Sequence, residues 1–190
     1  MAGSASKPGG RPYDPQTLER AALHYVGRYA TTRAKLAAYL KRKLRERGWA
    51  GETAPQIDSL IKRFSDRGYV NDAVFAQART ESLLRRGYGS HRIEANLRAA
   101  GIDAATADGL RGDIAEAAER SAMAFAKRRK IGPFAGKRLN PEENRRAFAA
   151  MLRAGHGFEV ARRILGQSAA GDNAEEDIAW DDFSGNADSR

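Results

Sequence analysis

The sequence of 190 residues contains no cysteine. Disulfide bridges and thiolate metal sites are therefore excluded, and the absence of cysteine is typical of a reducing, intracellular compartment. The sequence also lacks any run of about 18 apolar residues, the length that a membrane-spanning helix needs. Residues 1–12 lack the apolar segment of a signal peptide. We therefore expect a soluble, cytoplasmic protein with no membrane association.

Histidine is scarce as well, and the sequence offers little for catalysis or metal binding. The three histidines, His24, His91 and His156, are far apart and form neither an HExxH motif nor an i, i+4 pair. No serine stands at a spacing from a histidine that indicates a nucleophilic triad. Gly87-Tyr88-Gly89 follows a predicted helix and lacks the Lys-Ser/Thr of a phosphate-binding loop. We expect no enzymatic activity, no metal and no cofactor.

Positive charge is abundant, and it is concentrated in the body of the chain. The formal net charge is +9, but residues 172–190 hold seven acids and one base, a net charge of −6, which leaves +15 on the other 171 residues. A surface this basic attracts polyanions such as nucleic acid, or an acidic protein surface. Charge gives the sign of the partner without identifying it.

Helix signals run through residues 14–166, and strand patterns are nearly absent. Asp14-Pro15 predicts a helix start, and the apolar positions from Leu18 to Tyr29 follow one helical face. A second helix is predicted from about Thr32 to Arg47, with Gly48 as a left-handed stop. A third is predicted to begin at Thr53, where Thr-x-x-Gln resembles a capping box, and to bury residues 57–64 before Gly68.

The same punctuation recurs at a nearly fixed period, which indicates tandem repeats. An apolar residue one turn before a glycine occurs at Gly48, Gly101 and Gly155, which are 53 and 54 residues apart. A helix start precedes each glycine, at Thr32, at Ser90 and at residues 140–143, and a short third helix follows each one. The alternative is that these are the ordinary glycine stops of any helical protein.

This period predicts an all-α fold in which three tandem three-helix repeats stack into an elongated, curved body. The predicted repeats cover residues 13–68, 69–112 and 113–166. Residues 1–12 and the acidic residues 167–190 fall outside the pattern, and we expect both ends to be disordered.

Basic residues form one group in each predicted repeat. On the second helix, the row Leu36, Leu40 and Leu44 sets the buried face, so the intervening bases point outward. A curved stack would align the three groups along one face, which we predict to be the partner-binding surface. The alternative is a solvated helical surface. The predicted residues are Lys35, Lys41, Arg42 and Arg45; Arg85, Arg86, Arg92 and Arg98; and Lys127, Arg128, Arg129 and Lys130.

Two adjacent segments of the middle repeat resemble the RecX family, the regulatory proteins that bind the RecA recombinase. The first is Gly68-Tyr69-Val70-Asn71-Asp72, followed by Phe75-Ala76. The second is Arg86-Gly87-Tyr88-Gly89-Ser90-x-Arg92-Ile93, followed by Leu97 and by Gly101-Ile102. The likeness extends more loosely over residues 14–166. These motifs are mainly structural, because Asn71 can cap a helix and Gly89-Ser90 can turn the chain into the next one.

The resemblance implies a regulator that lies in the helical groove of the RecA filament on single-stranded DNA. Such a protein limits filament growth, ATP hydrolysis and strand exchange. We expect a monomer whose partner is this filament. The alternative is a protein that binds single- or double-stranded DNA directly.

The acidic end is not part of the family pattern. Trp180 and Phe183 lie among its acids, and it is either a solubilising tail or an autoinhibitory segment that covers the basic face. In the second case, removal of residues 172–190 tightens binding to single-stranded DNA at low salt.

Overall fold

The structure, a computed structural model, describes residues 10–167. The predictions for the acidic end, including Trp180 and Phe183, lie outside these residues. The described chain is helical and contains no β-strand, apart from an isolated bridge between Tyr13 and Trp49. Its helices are α1 Pro15–Arg28, α2 Arg33–Arg47, α3 Ile57–Asp66, α4 Asp72–Arg85, α5 Ser90–Ala99, α6 Ala104–Asp108, α7 Arg111–Glu116, α8 Ala118–Arg129, α9 Pro141–Arg153 and α10 Phe158–Gly166, with a 3-10 turn at Gly132–Phe134.

The helices confirm the all-α fold and the tandem three-helix arrangement. Helices α1–α3, α4–α6 and α8–α10 form the three repeats, and the short α7 is an additional helix that the sequence pattern did not predict. The middle helices differ in length: α2 has 15 residues, α5 has 10 and α9 has 13.

Most of the predicted helix starts are confirmed. Asp14 and Asn140 each accept the backbone N–H three residues on within a capping box, ahead of proline at the first helical position. The Thr32 side chain caps α2, and Asn71 Oδ1 accepts the N–H of Val74 at 3.0 Å. Ser90 is instead the first helical residue of α5, because the preceding glycine carbonyl already accepts the first helical N–H groups.

The predicted start of α3 at Thr53 is wrong. The helix begins at Ile57, and its N-cap, Gln56, makes no side-chain capping bond. Pro55 disfavours the helical conformation in the residue before it, so a helix cannot start at Thr53 without strain. The Thr53 carbonyl instead accepts the indole N–H of Trp49 at 2.6 Å.

Glycine stops end the three middle helices, as predicted. Gly48, Gly101 and Gly155 all have positive φ angles, of 80°, 74° and 89°. After α5 and α9 the next N–H bonds back to the carbonyl of Leu97 or Met151, which is the Schellman arrangement. Gly48 differs, because its carbonyl accepts the N–H of Tyr13, the residue of the isolated bridge.

The described chain divides into two compact units. Unit 1 comprises residues 10–79 and 97–108, and unit 2 comprises residues 80–96 and 109–167. Unit 1 has a core centred on Leu36, Leu40 and Phe64, each fully buried. Unit 2 has a core of buried residues from α8, α9 and α10, including Phe148 and Met151.

Each unit contains one joint between a middle helix and the next, built in the same way. In unit 1 the N-cap of α2, Thr32, donates its hydroxyl to the Ala100 carbonyl at 2.6 Å, at the end of α5. In unit 2 the residue before α5, Gly89, donates its N–H to the Ala154 carbonyl at 3.0 Å, at the end of α9. Because Ala100 and Ala154 are 54 residues apart, the period of the glycines is also the period of the joints.

Candidate functional site

All twelve basic residues that the sequence assigns to a partner surface are exposed. Those of α2, together with Arg98, lie in unit 1, and the other seven lie in unit 2. Their exposure agrees with the outward direction that helix geometry predicts. It leaves their role in binding a prediction.

Helix α2 carries a dense positive charge. Seven of its fifteen residues are basic and only Glu46 is acidic. Glu46 accepts from Lys43 at 3.1 Å and from Arg42 at 3.4 Å, and the hydrogen bond from Lys43 is the main reason that the pKa of Glu46 is lowered. Lys35 lies over the Phe75 ring, with its Nζ 4.8 Å from the ring centre. One acid cannot neutralise this helix, so its outer surface stays cationic.

A group of three tyrosines borders these bases, and sequence reasoning missed it. The Tyr25 and Tyr39 rings stack with their centres 4.2 Å apart, and Tyr29 lies 5.3 Å from Tyr25. The spacing of Tyr25 and Tyr29 places both on one face of α1, which we took to be the buried face. Helix α1 instead ends at Arg28, and Tyr29, its C-cap, is 51% exposed. Only the packing of α2 against α1 brings Tyr39 to them, so no sequence signal pairs the three.

Burial has a chemical consequence at the inner end of this tyrosine group. The pKa of Tyr39 is raised, because partial burial disfavours the phenolate, although Lys43 opposes the effect. The Tyr39 ring therefore stays neutral at physiological pH and attracts cations through its face.

In unit 2 the structure brings bases from two of the predicted groups together. The guanidinium groups of Arg86 and Arg92 lie over the Tyr88 ring, 5.6 and 6.0 Å from its centre. Arg128 donates to the Arg86 carbonyl and also lies over the Phe125 ring. Arginines that are separated by more than 30 positions in sequence thus flank one loop.

This loop, residues 86–89, is held from below by His156. The imidazole is buried, and its Nε2 donates to the Gly87 carbonyl oxygen at 3.2 Å. Burial lowers the pKa of His156, and the hydrogen bond to Gly87 opposes this only in part. The ring also packs edge-on against Phe125. His156 is therefore a neutral structural residue that positions the loop.

The described residues offer no arrangement that is typical of an active site. Within residues 10–167 no group of three or more His, Asp and Glu side chains is placed to hold a metal ion. A pocket of about 450 Å³ in unit 1 is lined by two aspartates, Asp58 and Asp66, and by Arg33, Lys62, Ile61 and Ser65. Lys62 donates to Asp66 at 2.8 Å across it, so its charges are largely paired.

Hydropathy adds one further finding. Over the part of the chain that the structure describes, each helix is too short or too polar to cross a bilayer.

Comparison with known proteins gives a consistent result. Residues 71–109 match the second three-helix domain of RecX. The chain is 32% identical over 168 residues to the regulatory protein RecX of Myxococcus xanthus, covering 84% of this chain and 90% of that protein. It is 29% identical to the regulatory protein RecX of Thermobifida fusca over 93% of both chains. The crystal structure of RecX from Lactobacillus salivarius matches with a TM-score of 0.60 at 19% identity, over 82% of this chain and 96% of that one, and supports the fold.

Proposed function

This chain belongs to the RecX family of regulatory proteins, and on that premise we propose that it binds the RecA filament on single-stranded DNA and inhibits its recombinase and ATPase activities. Its role is then the regulation of DNA repair and recombination. The protein acts by occupying the filament, and it needs no catalytic residue of its own.

The observation that carries this proposal is the cationic outer surface of α2. Lys41, Arg42 and Arg45 are exposed on a helix with a single acid, next to the exposed Lys35. A nucleoprotein filament presents phosphates and acidic side chains, and complementary charge increases both the rate and the specificity of such an encounter. The bases of α5 and α8, with Arg86, extend the same charge into the other repeats.

A charge-reversal experiment tests the proposal. The variant with Lys41→Glu, Arg42→Glu and Arg45→Glu should keep its helical content, because all three side chains are exposed. It should inhibit the ATPase of RecA on single-stranded DNA at least tenfold less well, as expected when several attractive contacts become repulsive.

A matched control changes the same amount of charge on another exposed helix. Arg145, Arg146 and Arg153 lie on α9, are exposed, and are not among the twelve predicted residues. Their reversal to Glu should leave most of the inhibition intact. Equal losses in the two variants would show that only net charge matters, and full inhibition by the α2 variant would make its bases a solvated surface.

A further inference from the structure

The three tyrosines of unit 1 form a continuous aromatic surface that ends in solvent. Tyr39 and Tyr25 are stacked with an angle of 13° between their planes, and Tyr29 continues the row at 49°. Tyr39 and Tyr25 are partly buried against the core, whereas half of Tyr29 is exposed. The two inner rings thus fix a platform, and the outermost ring offers its surface to a ligand.

Cations surround this platform on both helices. Arg28 lies over the Tyr29 ring at 5.9 Å, and Arg42 and Lys43 lie over the Tyr39 ring at 5.6 and 5.9 Å. Glu46 is the acid that balances Arg42 and Lys43, and its two ion pairs are solvent-exposed and therefore weak. A phosphate can compete for these cations at little cost.

We propose that this surface is a binding site for single-stranded nucleic acid, in which a base stacks on Tyr29 and the flanking phosphates contact Arg28, Arg42 and Lys43. Proteins that bind single strands without sequence preference combine stacking rings with a basic track in this way. A duplex cannot use the platform, because its bases are already stacked inside the helix. An acidic protein segment would use the cations but would leave the ring unoccupied. The site is a second binding activity and does not depend on RecA.

Fluorescence anisotropy with a labelled 20-nucleotide oligo(dT) tests the proposal on the full chain. Tyr29→Ala should weaken binding about 5- to 100-fold, the loss expected for one stacked base. Tyr29→Phe keeps the ring and should bind close to wild type. Tyr69→Ala is the matched control, because Tyr69 is 50% exposed in the same unit but lies against Phe64, outside the platform. Circular dichroism establishes that all three variants are folded.

Salt dependence separates stacking from charge. Tyr29→Ala should leave the slope of log affinity against log salt unchanged, whereas Arg42→Gln should reduce its magnitude by roughly 0.7, one single-strand phosphate contact. Equal affinities of Tyr29→Ala and Tyr69→Ala would overturn the proposal. So would a duplex of the same length that binds wild type as tightly as the single strand does. A Tyr29→Ala variant that loses RecA inhibition but keeps oligo(dT) affinity would assign the platform to a protein contact instead and would also refute it.

Discussion

Two glycines of unit 1 show how backbone conformation and packing act separately on single residues. Gly68 and Gly101 follow helices with nearly the same φ, 76° and 74°. A Cβ at Gly68 would meet nothing within 4 Å, whereas a Cβ at Gly101 would collide with the Cβ of Ala34. The first position needs glycine for its backbone alone, and the second also needs it for the close approach of α2.

Alanine at these two positions should therefore have unequal effects on stability. Gly68→Ala should lower the free energy of unfolding by about 1 kcal/mol, the strain of a left-handed residue with a Cβ. Gly101→Ala should lower it by roughly 1–3 kcal/mol more, because overpacking adds to that strain. Urea unfolding measures both. Equal losses would contradict the close packing of Gly101 on Ala34.

His156 predicts a pH dependence for the stability of unit 2. Its pKa is lowered in the folded protein, mainly by burial, while the unfolded chain has an ordinary value of about 6.5. The unfolded state therefore binds the proton more readily, and stability falls as the pH drops below about 6.5. The carboxylates with lowered pKa values, such as Glu143, contribute only at more acidic pH.

The test compares urea unfolding at pH 7.5 and pH 5.5 in wild type and in His156→Gln. The glutamine variant starts less stable, because it loses packing against Phe125, but its stability should change less between the two pH values. If wild type and variant lose the same amount of stability, His156 does not titrate on unfolding as the structure indicates.

At the scale of helices, local signals predicted starts and stops well, and tertiary contacts explain the failures. The caps at Asp14, Thr32 and Asn140 depend on side chains within three residues, so the sequence reveals them. The start of α3 depends on Pro55 and on the bond from Trp49 to Thr53. A pattern that considers only Thr53 and Gln56 misses both.

The joints between middle helices are another feature that local patterns could not reveal. Thr32 is recognisable as a cap, but its bond to Ala100 joins residues 68 positions apart. Nearby, Asp72 is buried and accepts both the backbone N–H and the Nε of Arg33, at 2.9 and 3.0 Å. The motif containing Asp72 thus supports the attachment of α2 to the middle repeat.

Removal of the Thr32 hydroxyl tests the joint of unit 1. Thr32→Val should lower the free energy of unfolding by about 2–3 kcal/mol, because it removes the cap on Lys35 and leaves the buried Ala100 carbonyl unpaired. Thr32→Ser retains both hydrogen bonds and should lose less than half as much. Thermal or urea unfolding compares the two. A serine variant as unstable as the valine variant would show that the methyl group, and not the joint, is responsible.

At the scale of the whole molecule, the sequence predicted the family, the helical repeats and the sign of the charge. The family follows from motifs such as Gly87-Tyr88-Gly89, in which glycine is needed because the loop packs closely on α8 and on the turn after α9. The arrangement of the binding surfaces was less accessible. The tyrosine platform and the meeting of Arg86, Arg92 and Arg128 depend on helix packing, which one-dimensional periodicity does not specify.

The central claim is that this protein regulates RecA by binding its filament rather than by competing for bare DNA. The most direct measurement is ATP hydrolysis by RecA on single-stranded DNA, with increasing amounts of this protein, at several salt concentrations. Binding to bare DNA should weaken steeply with salt, because it depends on phosphate contacts. We predict that inhibition of RecA persists at a salt concentration where anisotropy no longer detects binding to bare oligo(dT). Inhibition that disappears together with oligo(dT) binding, or no inhibition at any salt concentration, would contradict the account.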